Sequence, residues 1–282
     1  MSYDPRAGAY VGGEDFGVPA TAPPPMSAAE LETLVRFEHP AKLLSVAELP
    51  GAAGLGAVEQ AAAYRTDAAT VDALRARFRS EVAARRLDGV PDPGRVVALG
   101  DSITDDLLSW AEILRASGLE VVNAGVSGDT TADALRRLYG ITLVEPDLVV
   151  TMLGTNDCQR HGPDAALLVS PAETARNLAA IAAWLRETGA RRLWITPPPV
   201  DEAALARAAG PRPFAIRDAD VRAVAAAVHA LGDPVVDLHE VFGDRPGLLM
   251  EDGVHPTLEG QTAIAEAVAS VLGHSHSGTG NP

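Results

Sequence analysis

The sequence predicts an α/β protein built on a parallel five-stranded sheet with helices on both faces. Three observations lead there. From Arg95 onward, short apolar runs alternate with longer amphipathic stretches. The runs, such as Val96-Val97-Ala98-Leu99, are bounded by Gly and polar residues, as buried strands are. The stretch 171–188 is punctuated as a helix. Ser170 caps it, Pro171 takes its first turn, Glu173 offers a capping box, Gly189 stops it, and Leu178, Ile181 and Leu185 form a buried stripe.

Taken in order, residues 1–26 are rich in Gly, Ala and Pro and read as a flexible arm, too poor in burial to offset chain ordering. Residues 27–94 read as a helical extension and linker. Ser27 is a cap with Glu30 three residues on, Leu31, Leu34 and Val35 supply an apolar face, and His39-Pro40 ends the helix. A second helix is predicted from about Ala68 to Leu87, with Val71, Leu74, Phe78 and Val82 as its stripe. Asp88 to Gly94 is the linker. The α/β domain spans 95–272, with strands at 96–99, 119–122, 148–153, 192–196 and 234–237. Its helices are expected at about 104–117, 130–139, 171–188, 215–231 and 258–272, and residues 273–282, with His274 and His276, form a disordered tail.

Bulk properties narrow the function. A net charge of −15 argues against nucleic acid, whose phosphates call for clustered cations, and against anionic membrane surfaces. The single cysteine, Cys158, allows no intrachain disulfide and no cysteine-based zinc site. It reads as a small buried hydrophobe. No run of about twenty apolar residues suggests a membrane span, and the N-terminus lacks the apolar core of a secretory signal, so a cytoplasmic location is expected.

The chemistry-bearing blocks follow the strands. Gly100-Asp101-Ser102 follows the first, Gly125-Val126-Ser127-Gly128-Asp129 the second, and Gly154-Thr155-Asn156-Asp157 the third. Asp252-Gly253-Val254-His255-Pro256 precedes the last helix. In a parallel sheet, residues after successive strands share the carboxyl edge, where ligands bind. Ser102, Gly128 and Asn156 therefore converge despite their separation in sequence.

These four blocks, in this order, resemble the GDSL esterase/lipase family, also called SGNH hydrolases, over about Arg95 to Leu272. The resemblance implies a flavodoxin-like three-layer α/β/α sandwich. It makes Ser102 the nucleophile, His255 its base and Asp252 the residue that orients the base. Gly128 and Asn156 become oxyanion-hole donors beside the Ser102 backbone N–H. Ile103 stands where the family name has Leu, a like-sized aliphatic.

The residue types suit the chemistry. An alcohol is a poor nucleophile at neutral pH and needs a base, and of the seven histidines His255 is the best placed. A carboxylate three residues away can fix its tautomer and stabilise the imidazolium. Asp101 and Asp129 flank the site and are expected to fix its turns by Asx-type hydrogen bonds. His161 reads as a surface-loop residue.

Rival motifs fail. The G-x-S-x-G elbow is broken by Thr104 after Ser102 and by Asp129 after Ser127. No phosphate loop and no metal-ligand cluster is visible. The expectation is a serine esterase or acylhydrolase acting on a small-molecule carboxylic ester or thioester, with no cofactor, no metal and no nucleic-acid partner. An acyltransferase using the same site and a non-catalytic scaffold are the alternatives. The pocket walls are expected in the loops at about 158–170 and 197–217, which carry Arg160, Arg212 and Arg217.

Overall fold

The structure, a computed structural model, describes residues 2–4, 9–11, 32, 36, 68–162, 164–211 and 213–277. Five strands form the central sheet: β1 (Val96–Gly100), β2 (Val121–Gly125), β3 (Leu148–Met152), β4 (Arg191–Ile195) and β5 (Val235–Val236). All their pairings are parallel, in the spatial order β5-β4-β3-β1-β2. This is the flavodoxin-like order, and the predicted fold class holds.

The helices are α1 (Ala68–Ala83), α2 (Ser102–Asp105), α3 (Trp110–Ala116), α4 (Thr131–Thr142), α5 (Pro171–Glu187), α6 (Glu202–Ala209), α7 (Asp218–His229), α8 (Leu238–Phe242) and α9 (Leu258–Ser277). Successive strand residues point to opposite faces, so β1 feeds two cores. Val96 and Ala98 pack with Phe78, Trp110, Leu114 and Ile264 from α1, α3 and α9. Val97 and Leu99 pack with Leu138, Leu178, Ile181 and Val221 from α4, α5 and α7. Each fully buried aliphatic is worth about 1.5–3 kcal/mol relative to exposure, which is why these continuous apolar runs form strands sealed on both faces.

Where boundaries differ from expectation, side chains explain the shift. The second strand was expected at 119–122 but runs to Gly125, because buried Asn123 is satisfied inside it. The Asn123 amide donates to the Thr104 carbonyl (2.7 Å) and accepts from the Gly125 N–H (3.0 Å). The single helix expected over 104–117 is two, α2 and α3. Asp106 breaks it by accepting the Leu108 N–H on its side chain (2.9 Å), an alternative to helical pairing. The predicted capping box of α5 is half made: Ser170 accepts the Glu173 N–H (3.2 Å), but the Glu173 carboxylate pairs with Arg176. A reciprocal box stands at α4 instead, between Thr130 and Asp133.

The loop expected over 197–217 contains α6. Its end, Phe214–Ala215, forms a small antiparallel sheet with Arg160–His161 and Ala166–Leu167. The arm expected at 1–26 contains a hairpin, Ser2–Asp4 against Ala9–Val11. The last helix continues through Ser277 into the expected tail. Of the helix expected after Ser27, Glu32 and Arg36 are helical. Its cap, apolar face and His39-Pro40 stop lie outside the described residues, as do Arg212 and His276's side chain.

The turn after β1 presses on the end of β2. A Cβ at Gly125 would lie 2.3 Å from the Asp105 backbone nitrogen and 2.7 Å from the Thr104 carbonyl carbon. Backbone cannot step aside as a side-chain tip can. Gly125→Ala is therefore expected to cost about 3 kcal/mol through overpacking, read as a lower urea midpoint with an unchanged slope.

Candidate active site

In this strand order the chain leaves β1 for β2 on one side and returns to β3 on the other. The crevice between the carboxyl ends of β1 and β3 is thus the topological switch point. Ser102 follows β1 and Asn156 follows β3, so the two flank it.

Ser102 opens the single turn α2, capped by Asp101, whose carboxylate accepts the Ile103 N–H (3.0 Å) as the Asx-type expectation has it. Ser102 Oγ lies 2.9 Å from His255 Nε2, and His255 Nδ1 lies 2.6 Å from Asp252 Oδ2. The carboxylate only accepts, so in the neutral imidazole Nδ1 carries the proton and Nε2 is left to accept from the serine hydroxyl. The other oxygen of Asp252 accepts the N–H groups of Val254 (2.9 Å) and His255 (3.0 Å). One tight loop therefore presents both side chains. Partial burial alone would raise the Asp252 carboxyl. Its bond and ion pair with His255, with the two backbone donors, bring it below the ordinary carboxylate value.

Gly128 has φ +87, a conformation that favours glycine, and a Cβ added there would meet no atom within 4 Å. Asn156 Nδ2 donates to the Asp129 carbonyl (2.9 Å), directly after Gly128. The loop of Gly128 is also tied to α2, because Asp105 accepts both the N–H (3.0 Å) and the hydroxyl (2.5 Å) of Ser127. Ser102, Gly128, Asn156, Asp252 and His255 thus belong to one hydrogen-bonded rim.

Two residues that tie this rim together, Arg137 and Gln159, were not singled out in the sequence. Arg137 on α4 bonds Asp129 (2.6 Å), the Ala124 carbonyl (2.6 Å) and the Gly100 carbonyl (3.0 Å), fastening the ends of β1 and β2. Asp129 is therefore an ion-pair partner and not the Asx-turn residue expected. Burial pushes its carboxyl up to about 6 against the pull of Arg137. Gln159 Nε2 donates to Asn156 Oδ1 (2.7 Å), and His161 Nε2 lies 3.0 Å from Gln159 Oε1. Asp157 takes the N–H (2.9 Å) and hydroxyl (2.5 Å) of Thr131 and the hydroxyl of Thr174 (3.0 Å). Asp129 and Asp157 stand in the polar blocks that follow β2 and β3, whereas Arg137 lies within α4 and Gln159 follows the third block, so these residues share no sequence signal.

The weaker candidates sit elsewhere. Cys158 is buried, and burial first, then the Asp157 charge, pushes its thiol up to about 12, so it is no nucleophile. His229 pairs with Asp237 (2.8 Å) and His239 with Asp218 (3.2 Å), while His274 bonds the Ser270 carbonyl on α9. Arg160 is held by both oxygens of Asp220 (2.8 and 2.9 Å). Among the described residues, no group of three or more His, Cys, Asp or Glu is arranged to hold a metal, and no helix is long and apolar enough to cross a membrane.

The sequence pattern of the GDSL-like lipase/acylhydrolase family matches residues 98–263. The chain belongs to that family. As a member of it, the protein is an ester-cleaving hydrolase. It is 33% identical over 192 residues to the esterase TesA of Pseudomonas aeruginosa, covering 63% of this chain and 87% of that one. An arylesterase of Vibrio mimicus is 30% identical over 192 residues, 63% and 88% of the two chains. Among solved structures, an acetyl xylan esterase superposes with a TM-score of 0.52 at 20% identity, over 63% of this chain and 98% of that one. A GDSL-like lipase of Bacteroides thetaiotaomicron gives 0.51 at 23% identity, over 71% and 98%. These two share the fold of this GDSL-family chain.

Asp101 is fully buried, with one carboxylate oxygen lacking a hydrogen-bond partner among the described residues. Burial pushes its carboxyl from 3.8 up to about 7. A raised folded value means the folded state holds the proton longer than the unfolded chain, so stability falls as pH rises from about 4 to about 7. Asp101→Asn keeps the cap and removes this titration. Its stability relative to wild type is expected to rise across that window by up to about 4 kcal/mol and stay level above it, read from urea unfolding at a series of pH values.

Proposed function

We propose that this family member cleaves a carboxylic ester through an acyl-enzyme on Ser102. The observation that carries the reading is the 2.9 Å contact of Ser102 Oγ with His255 Nε2, continued at 2.6 Å to Asp252. Ser102 Oγ attacks the ester carbonyl while its proton passes to Nε2. The resulting imidazolium is held by Asp252, whose lowered carboxyl keeps it charged. His255 then gives the proton to the departing alkoxide. Water attacks the acyl-enzyme with the same base, releasing the acid and restoring the serine.

The oxyanion is received by the Ser102 and Gly128 N–H groups and by the Asn156 amide hydrogen that Asp129 does not take. Such donors act best when fixed in advance. Two features support this: the open space beside Gly128, and the bonds that clamp the Asn156 amide at both ends. The names of its two relatives, an esterase and an arylesterase, support an ester as the bond cleaved.

Turnover of p-nitrophenyl esters of increasing chain length tests the proposal. Ser102→Ala and His255→Ala are each expected to lower kcat by at least about ten-thousandfold, and the double variant little further, because the pair acts as a unit. Unchanged turnover by folded Ser102→Ala ends the reading.

Asn156 gives a separate test. Asn156→Ala is expected to lower kcat by about a hundredfold with KM little changed, since the oxyanion charge exists only in the transition state. Asn156→Asp keeps the shape but sets a negative charge against the oxyanion, so it should be at least as damaging. Gln159→Glu loses the donor that fixes the Asn156 amide. It should lower kcat by about tenfold, with no added effect in the Asn156→Ala background.

A further inference from the structure

Arg36 lies well outside the family match, yet its guanidinium is buried against the site. Its Nε and one terminal nitrogen bond both oxygens of Asp106 (2.8 and 2.6 Å). That same nitrogen reaches the Pro256 carbonyl (3.2 Å), and the other lies 3.2 Å from the Met250 sulfur. The Arg36 carbonyl accepts the Leu107 N–H (2.9 Å). A planar fork with fixed donors is what such simultaneous contacts require, and a lysine cannot reproduce them.

The partners are the two chain segments that carry the reacting pair. Asp106 directly follows α2, and its N–H donates to the Ser102 carbonyl (3.1 Å). Pro256 directly follows His255, and the Met250 N–H donates to the His255 carbonyl (2.7 Å). The guanidinium therefore bridges the serine turn to the histidine loop from behind. A second link, the Gln261 side chain, joins α9 to the serine turn through the Ile103 carbonyl (2.9 Å), the Trp110 N–H (2.9 Å) and Asp106 (3.4 Å), and the Gln261 backbone N–H donates to the Thr257 carbonyl (2.8 Å), one residue past Pro256. Of these two side chains, that of Arg36 is the one that bonds both Asp106 and the Pro256 carbonyl.

We propose that Arg36 is a positioning residue that sets the distance between Ser102 and His255, so that the N-terminal extension is part of the catalytic unit. This rests on Ser102 and His255 being the reacting pair. Asp106 is buried, and burial pushes its carboxyl up while the Arg36 pairing pulls it down. Without Arg36 that carboxyl keeps the Leu108 N–H but loses its cationic partner, and both segments lose the guanidinium that joins them. A misplacement of about 1 Å between reacting groups is enough to cost about a hundredfold in rate.

The test compares the full-length wild type with Ser102→Ala, Arg36→Lys, Arg36→Ala and the double variant Arg36→Ala/Asp106→Asn, which removes the orphaned charge. Measured are kcat and KM for a p-nitrophenyl ester, the rate at which an organophosphonate labels Ser102, and the folded fraction by circular dichroism. For folded Arg36→Ala, kcat is expected to fall about a hundredfold with KM within about twofold, and labelling to slow by a similar factor. Arg36→Lys, which keeps the charge but not the bridge, should fall about tenfold, and the double variant should stay as slow as Arg36→Ala while regaining stability. If Arg36→Ala does not fold, the double variant and Arg36→Lys decide. A kcat per folded molecule within about twofold of wild type in the folded Arg36→Ala or double variant overturns the proposal, even where stability falls. Activity surviving in Ser102→Ala would instead overturn the reading of the site itself, so the two failures are told apart.

Discussion

The carboxyl edge of the sheet depends on one close packing, that of the turn after β1 against the end of β2. Gly125 leaves no room for a side chain there, and Gly100 is likewise closed off by Thr104 and the Met152 carbonyl. Contact of backbone on backbone fixes where Ser102 stands relative to β2 and hence to the loop of Gly128. Asn123 locks the contact from within the strand by donating to the Thr104 carbonyl, and Asp105 locks it from the turn by holding Ser127. The serine is thus placed by interior packing, which is stiff.

A second constraint follows from bringing so many loops to one edge. Loops carry backbone N–H groups without ladder partners, and burying these unpaired is costly. Here buried aspartates supply the acceptors. Asp101 takes the N–H of Ile103, Asp105 that of Ser127, Asp106 that of Leu108 and Asp157 that of Thr131. Carboxylates do this well because each has two oxygens and a charge that strengthens the bond. The cost is electrostatic, visible in the upward displacement of Asp101 and Asp129. Arg36 and Arg137 offset it where an aspartate also joins separate segments.

The sheet and most of its helices were legible because burial on both faces demands continuous apolar runs, and such runs are local. Ser102, Asn156 and His255 were legible because each sits in a short block at a strand or helix boundary. Their assembly followed from the rule that successive parallel strands end on one edge. What escaped notice depends on pairing across the chain. The break at Asp106 has no periodic signature, because Asp106 is explained by Arg36, 70 residues away. Asp129 looked like a turn residue because Arg137 is one of two adjacent arginines on its helix, and only the packing of α4 shows which one turns inward. Gln159 carries no motif at all, and its part appears only when the direction of the Asn156 amide is traced.

That direction can be deduced. The Asp129 carbonyl only accepts, so the group of Asn156 facing it must be the NH2. The Asn156 oxygen is then turned to Gln159, which must present its own NH2, leaving the Gln159 oxygen to receive an N–H from His161. The chain of donors runs one way, from the exposed histidine inward to a backbone carbonyl, and no amide in it is free to flip. One hydrogen of the Asn156 amide is spent on Asp129, and the other is held in a fixed direction by the same bonds. In the proposed reaction this is the useful property, because a donor already aimed at the developing charge needs no reorganisation when the charge appears. The two backbone donors proposed for the oxyanion, at Ser102 and Gly128, are fixed in the same sense, by the packing at Gly125 and the left-handed turn at Gly128. The site therefore owes its rigidity to residues that would themselves never touch the substrate.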